Sequence, residues 1–209
     1  MKVICTRKDL FEGVQTAARA VSTRSSLPIL SHLLVRAEGD HVRIAATDLE
    51  VGLECIVPAN VQEEGGLTVP ARIVHEMLAA LPETEVSLSV EEGNRVKIKA
   101  GSSDYTINGL PSEEFPMLPE VKEDISLTIS KSVLRDAIRK TIFAVSVDES
   151  RPFLTGILVV LAEGGLRLVA TDTHRLCVQD VELVSSQGET SVIVPGRAMN
   201  EALRLLSED

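Results

Sequence analysis

The chain repeats itself. Leu30-Ser-His-Leu-Leu-Val35 returns as Leu154-Thr-Gly-Ile-Leu-Val159, and eighteen residues after each leading leucine comes an aspartate, in Ala46-Thr47-Asp48 and Ala170-Thr171-Asp172. The offset of 124 residues also pairs Val3 and Cys5 with Leu127 and Ile129, and Leu10, Val14 and Ser22 with Leu134, Ile138 and Ser146. With one more residue, Val69-Pro70-Ala71-Arg72 pairs with Val194-Pro195-Gly196-Arg197. Matches in one order mean two homologous domains, so whatever fold the first copy adopts the second must share. The expected division is a first domain over 1–122 and a second over 123–209. Residues 110–119 carry three prolines and no hydrophobic period, and read as extended connecting chain.

Each copy has the same order of elements. A strand over 2–5 leads into a helix in which Leu10, Val14, Ala17, Ala18 and Val21 share one face. Alternation near 32–38, 41–47, 51–57 and 67–69 predicts strands. Pro70 and Pro195 stand where a second helix starts, because proline is tolerated in the first turn, and Ser130 stands at an N-cap. Gly65-Gly66 and Gly164-Gly165 predict hairpin turns. The fold class is therefore α+β: tandem domains, each two helices packed on antiparallel sheet with the helices facing one side. Alternating segments at 85–90, 95–99 and 104–107 complete the first copy and have no counterpart in the second. The second domain reads as incomplete, with one side of its sheet unpaired, and the chain as a portion of something longer.

No apolar run exceeds the six residues of 157–162, against about 18 or more for a membrane span, so no membrane partner is expected. The N-terminus regains charge by Arg7 and is not a secretory signal. Cys5, Cys55 and Cys177 are odd in number and set in apolar alternation, as reduced core thiols of a cytoplasmic protein are. Aromatic residues make up only 2%, which disfavours base stacking on single strands.

A net charge of −10 argues against a nucleic-acid partner when taken alone. Its distribution argues the other way. The helical segments 7–21, 71–81, 131–146 and 196–206 hold ten basic and five acidic residues, in a chain with 21 basic and 31 acidic residues. Lys and Arg form helices well and occur on any solvated face, but Glu forms helices equally well and is scarce there. A basic helical layer suits a phosphate backbone. No zinc-finger spacing or recognition stripe is present, so such contacts would position without reading bases.

Asp172-Thr173-His174-Arg175 is the most catalytic-looking cluster, since a carboxylate near a histidine can orient a general base. No matching nucleophile motif accompanies it. The first copy also has Thr47-Asp48 without His or Arg beside it, so Thr-Asp reads as a shared turn built on Asp-to-backbone hydrogen bonds. A small hydrolase or transferase using Asp172 and His174 is the alternative, and a structural interaction module without DNA a third. The four histidines have no metal-ligand spacing, and no phosphate-binding glycine loop occurs. No cofactor or metal is expected.

Arg24-Ser-Ser-Leu-Pro-Ile-Leu30, Ala46-Thr-Asp-Leu-Glu50, Val69-Pro-Ala-Arg72, Ala170-Thr-Asp-Thr-His-Arg-Leu176 and Val192-Ile-Val-Pro195 together resemble the bacterial DNA polymerase III beta sliding clamp family, over essentially the whole chain. The resemblance implies three similar domains, of which the first and most of the middle one are present. It implies a head-to-tail homodimeric ring around double-stranded DNA, with helices lining the hole. Such a ring is a processivity factor and not an enzyme. DNA contacts would come from Arg24, Arg72, Arg151 and Phe153, with Pro152 where the family often has an aromatic. A peptide-binding pocket would use Leu154, Thr171, Thr173, His174, Arg175 and Leu176, with Thr173 where glycine is commoner. It would take short linear peptides of the replicative DNA polymerase, the clamp loader and other clamp-binding proteins. The edge strand around Tyr105 and Ile107 would meet the partner protomer, with Asp104 where some relatives have a basic residue.

Overall fold

The computed structural model describes residues 1–22, 26–119, 124–162 and 165–206, and contacts divide the chain into two units, Met1–Pro119 and Glu120–Asp209. The boundary expected after residue 122 lies within 120–123, outside the described residues.

Alternation shapes the first unit from its first residues. Strand β1 (Lys2–Thr6) buries Val3 and Cys5, and Thr6 ends it by capping helix α1 (Arg7–Ala17): its hydroxyl accepts from the Asp9 N–H at 3.1 Å. A meander follows, β2 (His32–Glu38), β3 (His41–Thr47) and β4 (Gly52–Pro58). After β5 (Asn60–Glu63) the pattern recurs as β6 (Gly65–Pro70), α2 (Ala71–Ala80), β7 (Glu85–Glu91), β8 (Arg95–Ala100) and β9 (Ser103–Asn108), and β10 (Leu110–Pro111) closes the unit. The leading strand of each half joins the meander of the other. One sheet runs β5-β1-β7-β8-β9 and the second β10-β6-β2-β3-β4, with every pairing antiparallel. This exchange ties the halves into one core, in which Leu10, Val14 and Ala17 of α1 and Val74 and Leu78 of α2 are buried with Leu33, Ile44 and Ile98 of the sheets. Close approach requires Gly13, because a Cβ there would lie 2.6 Å from the Val57 side chain of β4. Arg7 is drawn inward to the end of α2, donating to the carbonyls of Leu78 (2.8 Å) and Ala79 (3.1 Å), which otherwise end the helix unpaired.

Three details differ from the sequence expectation. Helix α1 stops at Ala17 and a 3-10 turn carries Ala18–Ala20, so Val21 lies beyond the helix. Gly65-Gly66 is not a hairpin: β5 pairs with β1 and β6 with β2, so these glycines carry the chain between sheets. Residues 110–119 do more than connect, since β10 pairs with β6 and Phe115 is buried.

The second unit follows the first. It contains β11 (Ser126–Thr128), α3 (Lys131–Thr141), β12 (Gly156–Ala162), β13 (Gly165–Thr171), β14 (Leu176–Val181), β15 (Ser185–Gln187), β16 (Thr190–Pro195) and α4 (Gly196–Leu205). The order β14-β13-β12-β16 repeats β4-β3-β2-β6, and the β11–β15 pair repeats β1–β5. Ile138, Ile157, Leu161 and Leu168 centre its core. Ser130 occupies the N-cap of α3, but its hydroxyl meets that of Ser132 (3.1 Å) and does not cap the helix. Ala162 pairs with Gly165 across a hairpin whose residues 163–164 lie outside the described residues.

Candidate functional site

The turn after the third strand of each copy is built bond for bond alike. In the first unit the Thr47 hydroxyl donates to the Val51 carbonyl (3.0 Å) and accepts from the Leu49 N–H (3.0 Å), while the Asp48 carboxylate accepts from the N–H groups of Glu50 (3.1 Å) and Val51 (2.9 Å). In the second unit the Thr171 hydroxyl donates to the Arg175 carbonyl (2.8 Å) and accepts from Thr173 (3.2 Å), while Asp172 accepts from the N–H groups of His174 and Arg175, each at 3.0 Å. Leu49 and Thr173, at the same place, have φ of 79° and 78°. That left-handed conformation favours glycine and strains a β-branched residue, the physical reason for a glycine preference there.

This geometry decides between the readings of the Asp172 cluster. One carboxylate oxygen is engaged by two backbone N–H groups, and the other accepts from the Arg175 side chain at 2.8 Å. The backbone bond from His174, with those from Arg175, holds the Asp172 carboxyl below the usual aspartate range. Asp172 is the keystone of a turn, its carboxylate engaged by two backbone N–H groups and the Arg175 side chain, which supports the shared-turn reading.

The two turns differ in their cover. Leu30, Thr47 and Val51 of the first unit are buried, whereas their counterparts Leu154, Thr171 and Arg175 are half-buried or exposed. Leu154 and Leu30 are placed alike, each accepting through its carbonyl from a serine N–H (Ser146 and Ser22, both 2.9 Å). The β12–β13 register, carried two residues beyond the Leu158–Val169 pair, sets Gly156 level with Thr171, so the Pro152–Leu154 turn and the 171–176 turn share one end of the sheet. Thr173 and His174 are exposed there, Leu176 is 66% exposed and Phe153 64%. The Arg175 guanidinium sits 5.5 Å from the Phe143 ring centre, and Phe143 is itself 54% exposed. Sequence reasoning missed Phe143; an outward aromatic in so aromatic-poor a chain was the available signal. This end of the unit is an open apolar shelf with a cationic rim. Cavities of about 460 and 500 Å³ lie elsewhere in the unit, lined around Arg167 and Asp180 and around Val133 and Lys140, and one of about 510 Å³ adjoins the Leu154 turn, lined by Ser146, Thr155, Asn200 and Glu201.

The helical charge is unevenly shared. In the first unit Arg7 is turned inward, and the remaining cations of these segments, Lys8, Arg72 and Arg19 of the 3-10 turn, stand against as many acids, Asp9, Glu12 and Glu76. Arg72 is exposed and ion-paired to Glu76 at 2.8 Å. In the second unit α3 carries Lys131, Arg135, Arg139 and Lys140 against Asp136, and α4 carries Arg197 and Arg204 against a buried Glu201. The basic excess expected of all four helices thus belongs to the second unit. Arg151 folds back onto Asp148 (2.8 Å), whose carboxyl is held low chiefly by the Ser150 hydroxyl and then by Arg151. Arg24 lies outside the described residues.

Tyr105 and Ile107 lie on β9, the outer strand of its sheet, with Tyr105 exposed and Ile107 half-buried. Asp104 beside them is held by Lys97 (3.4 Å) and Lys99 (3.6 Å). Cys5 is a core thiol, but Cys55 and Cys177 are only half-buried, and Cys177 donates to the Lys140 carbonyl. Among the described residues no group of three His, Cys, Asp or Glu side chains could hold a metal ion, and no helix is long and apolar enough to cross a membrane.

Comparison with known proteins places both units. A family model described as DNA polymerase III beta subunit, N-terminal domain, matches residues 1–119, and one described as its central domain matches 128–209. A beta sliding clamp of Halalkalibacterium halodurans is 33% identical over 214 residues, covering 97% of this chain and 56% of that protein. The Chlamydia trachomatis beta sliding clamp is 33% identical, over 100% of this chain and 50% of its own length. The chain thus spans about half the length of these relatives. Among solved structures, the DNA polymerase sliding clamp of Bacillus subtilis matches with a TM-score of 0.95 at 30% identity, covering 100% of this chain and 57% of that one. A Pseudomonas aeruginosa sliding clamp bound to griselimycin matches at 0.88 and 37% identity, with the same coverage.

Proposed function

Since the chain belongs to the DNA polymerase III beta subunit family, we propose that it forms the first and most of the middle portion of a ring-shaped homodimeric sliding clamp, a processivity factor for DNA polymerase and not an enzyme. The ring encircles double-stranded DNA and is held by topology, so weak phosphate contacts suffice and sequence is not read. The helical cations of the second unit, with Arg24, Arg72 and Arg151 beside Phe153, meet the phosphates. Leu154, Thr171, Thr173, His174, Arg175 and Leu176 receive short peptides of the replicative polymerase, the clamp loader and other partners, and the β9 edge with Tyr105 and Ile107 meets a second protomer. No cofactor or metal is required, and the protein works in the cytoplasm.

The observation that carries this reading is the contrast between the two turns: on one backbone scaffold, Leu30, Thr47 and Val51 are buried in the first unit although Leu49 stays exposed, whereas Leu154, Thr171 and Arg175 are half-buried or exposed in the second and Leu176 adds an exposed apolar side chain. Exposed apolar surface concentrated at one place marks a binding site. The experiment loads the protein onto nicked circular duplex DNA with a clamp loader and then cuts the circle. Retention on the circle and loss from the linear form is the expected result, and equal retention on both refutes a ring. Griselimycin, the ligand of the Pseudomonas aeruginosa clamp, tests the shelf: Leu176→Asp abolishes its binding and, because the clamp loader docks on the same shelf, lowers the amount loaded, while the protein that does load is retained on the circle and lost on cutting as before. Binding undiminished in that variant removes Leu176 from the site.

A further inference from the structure

In the first unit a later piece of the same chain lies against the last residue of the turn, while Leu49 at its tip stays exposed. A Cβ at Gly52 would lie 2.7 Å from Cδ2 of Leu118, so the leucine side chain fills the space that a larger residue at 52 would take. Three residues earlier Phe115 is buried, and Pro111 holds the start of this segment on β6 opposite Leu67. Gly52 ends the Thr47-Asp48 turn as Leu176 ends the Thr171-Asp172 turn, and Leu176 brings its own, exposed side chain.

We propose that residues 115–118 dock in cis on the first unit as a peptide does on a recruitment shelf, so that the first copy of the site is permanently occupied by its own chain. The inference rests on reading 171–176 as a peptide site, and it adds a second, latent site and the kind of segment that fills it: an extended, proline-flanked stretch presenting one leucine. Tethering supplies the occupant at an effective concentration near millimolar, which a dilute free peptide does not match. This is a physical reason for a duplicated chain to recruit partners at one turn and not at both. Gly52 is the socket, and its lack of a side chain is what admits Leu118.

The test uses the 209-residue chain and a synthetic peptide of residues 113–119 as probe, followed by the backbone amide resonances of Leu49, Glu50, Val51 and Gly52. Leu118→Ala vacates the socket. Peptide then shifts these four amides saturably, with an affinity about tenfold or more above that for the unaltered chain, the equivalent of one half-buried leucine. Peptide with alanine at the leucine position does not. Equal response of the two chains, or none in the variant, overturns the proposal. Gly52→Leu gives an independent route, because its side chain would occupy the space that Leu118 takes. Protease cleavage within 113–119 rises about tenfold or more while the first unit still melts cooperatively; an unchanged cleavage rate overturns the proposal. Failure of griselimycin to bind 171–176 would refute the second-unit site alone, since none of these readouts involves it.

Discussion

Neutralising α3 should change how binding responds to salt, by an amount the structure sets. Arg135 and Arg139 share one acidic neighbour, Asp136, at 3.8 and 3.4 Å, and both remain partly solvated on the helix surface. Each phosphate contact contributes about 0.9 to the slope of log affinity against log salt on duplex DNA. The double variant Arg135→Ala/Arg139→Ala therefore lowers the slope by about 1.8 if both touch phosphate. Over a fourfold rise in salt, from about 50 to 200 mM, the unaltered chain then loses about twelvefold more affinity than the variant. The assay is fluorescence anisotropy of a labelled duplex at several salt concentrations, repeated on a second sequence to test indifference to bases. Arg167 is the control. It lies on β13 between the buried Leu166 and Leu168, so its side chain leaves by the opposite face of the sheet, where it pairs with Asp180 at 2.6 Å. Arg167→Ala should leave the slope unchanged. An unaltered slope in the α3 variant, or an equal fall in the control, would refute the assignment of the helical layer to DNA.

Other outcomes follow from single residues. Asp172 and Asp148 titrate below the usual value of about 3.9, so their contribution to stability is full above that value and is lost as pH falls through the lowered ones; thermal melts between about pH 6 and 2 should show Asp172→Asn shallower than the unaltered chain only below about pH 4, and curves that stay parallel there would contradict the turn's ionic basis. Burial, with Asp9 adding to it, pushes the Cys5 thiol up to about 12; Cys177, half-exposed, should alkylate well before Cys5 at neutral pH, and equal rates would show that β1 opens freely. Ile138→Ala removes a fully buried side chain of the second core and should cost about 2–5 kcal/mol in chemical denaturation, a large share of a domain's stability, and a loss under about 1 kcal/mol would mean that α3 is not seated as described.

What could be read from sequence followed from periodicity and repetition. The strand at 32–38 was legible because burial alternates along it, as at Leu33, Val35 and Ala37, and that at 41–47 because it begins in the same way before Ile44–Thr47 all turn inward or are covered. The exchange of β1 and β6 between halves was not, since nothing local tells a strand which meander it will join. Gly65-Gly66 misled for the same reason: two glycines signal a change of direction, and only the pairing partners of β5 and β6 show that it is a crossing between sheets. The Asp172 turn was recoverable because its copy at Asp48 lacks the histidine, so the shared residues had to serve the backbone. The charge argument overreached in the first unit, because composition counts Arg7 as surface when its side chain is drawn into the end of α2.

Duplication gives the chain a control for its own site. The two turns share the four backbone bonds described above and the positive φ at Leu49 and Thr173, so what distinguishes them lies in the side chains around them. At the place of Leu30 a leucine is kept but uncovered, at the place of Val51 an arginine reaches out to Phe143, and at the place of Gly52 a leucine stands in water. Leaving Leu176, Phe143 and Phe153 exposed forgoes burial worth about 1.5–3 kcal/mol for each side chain fully covered, while the first unit buries Leu30 and Val51 and half-buries Leu118, leaving Leu49 exposed. A fold selected only for stability would have no reason to treat identical scaffolds so differently. On the proposed reading the second copy recruits a partner, and the first already has one in the chain that leaves it.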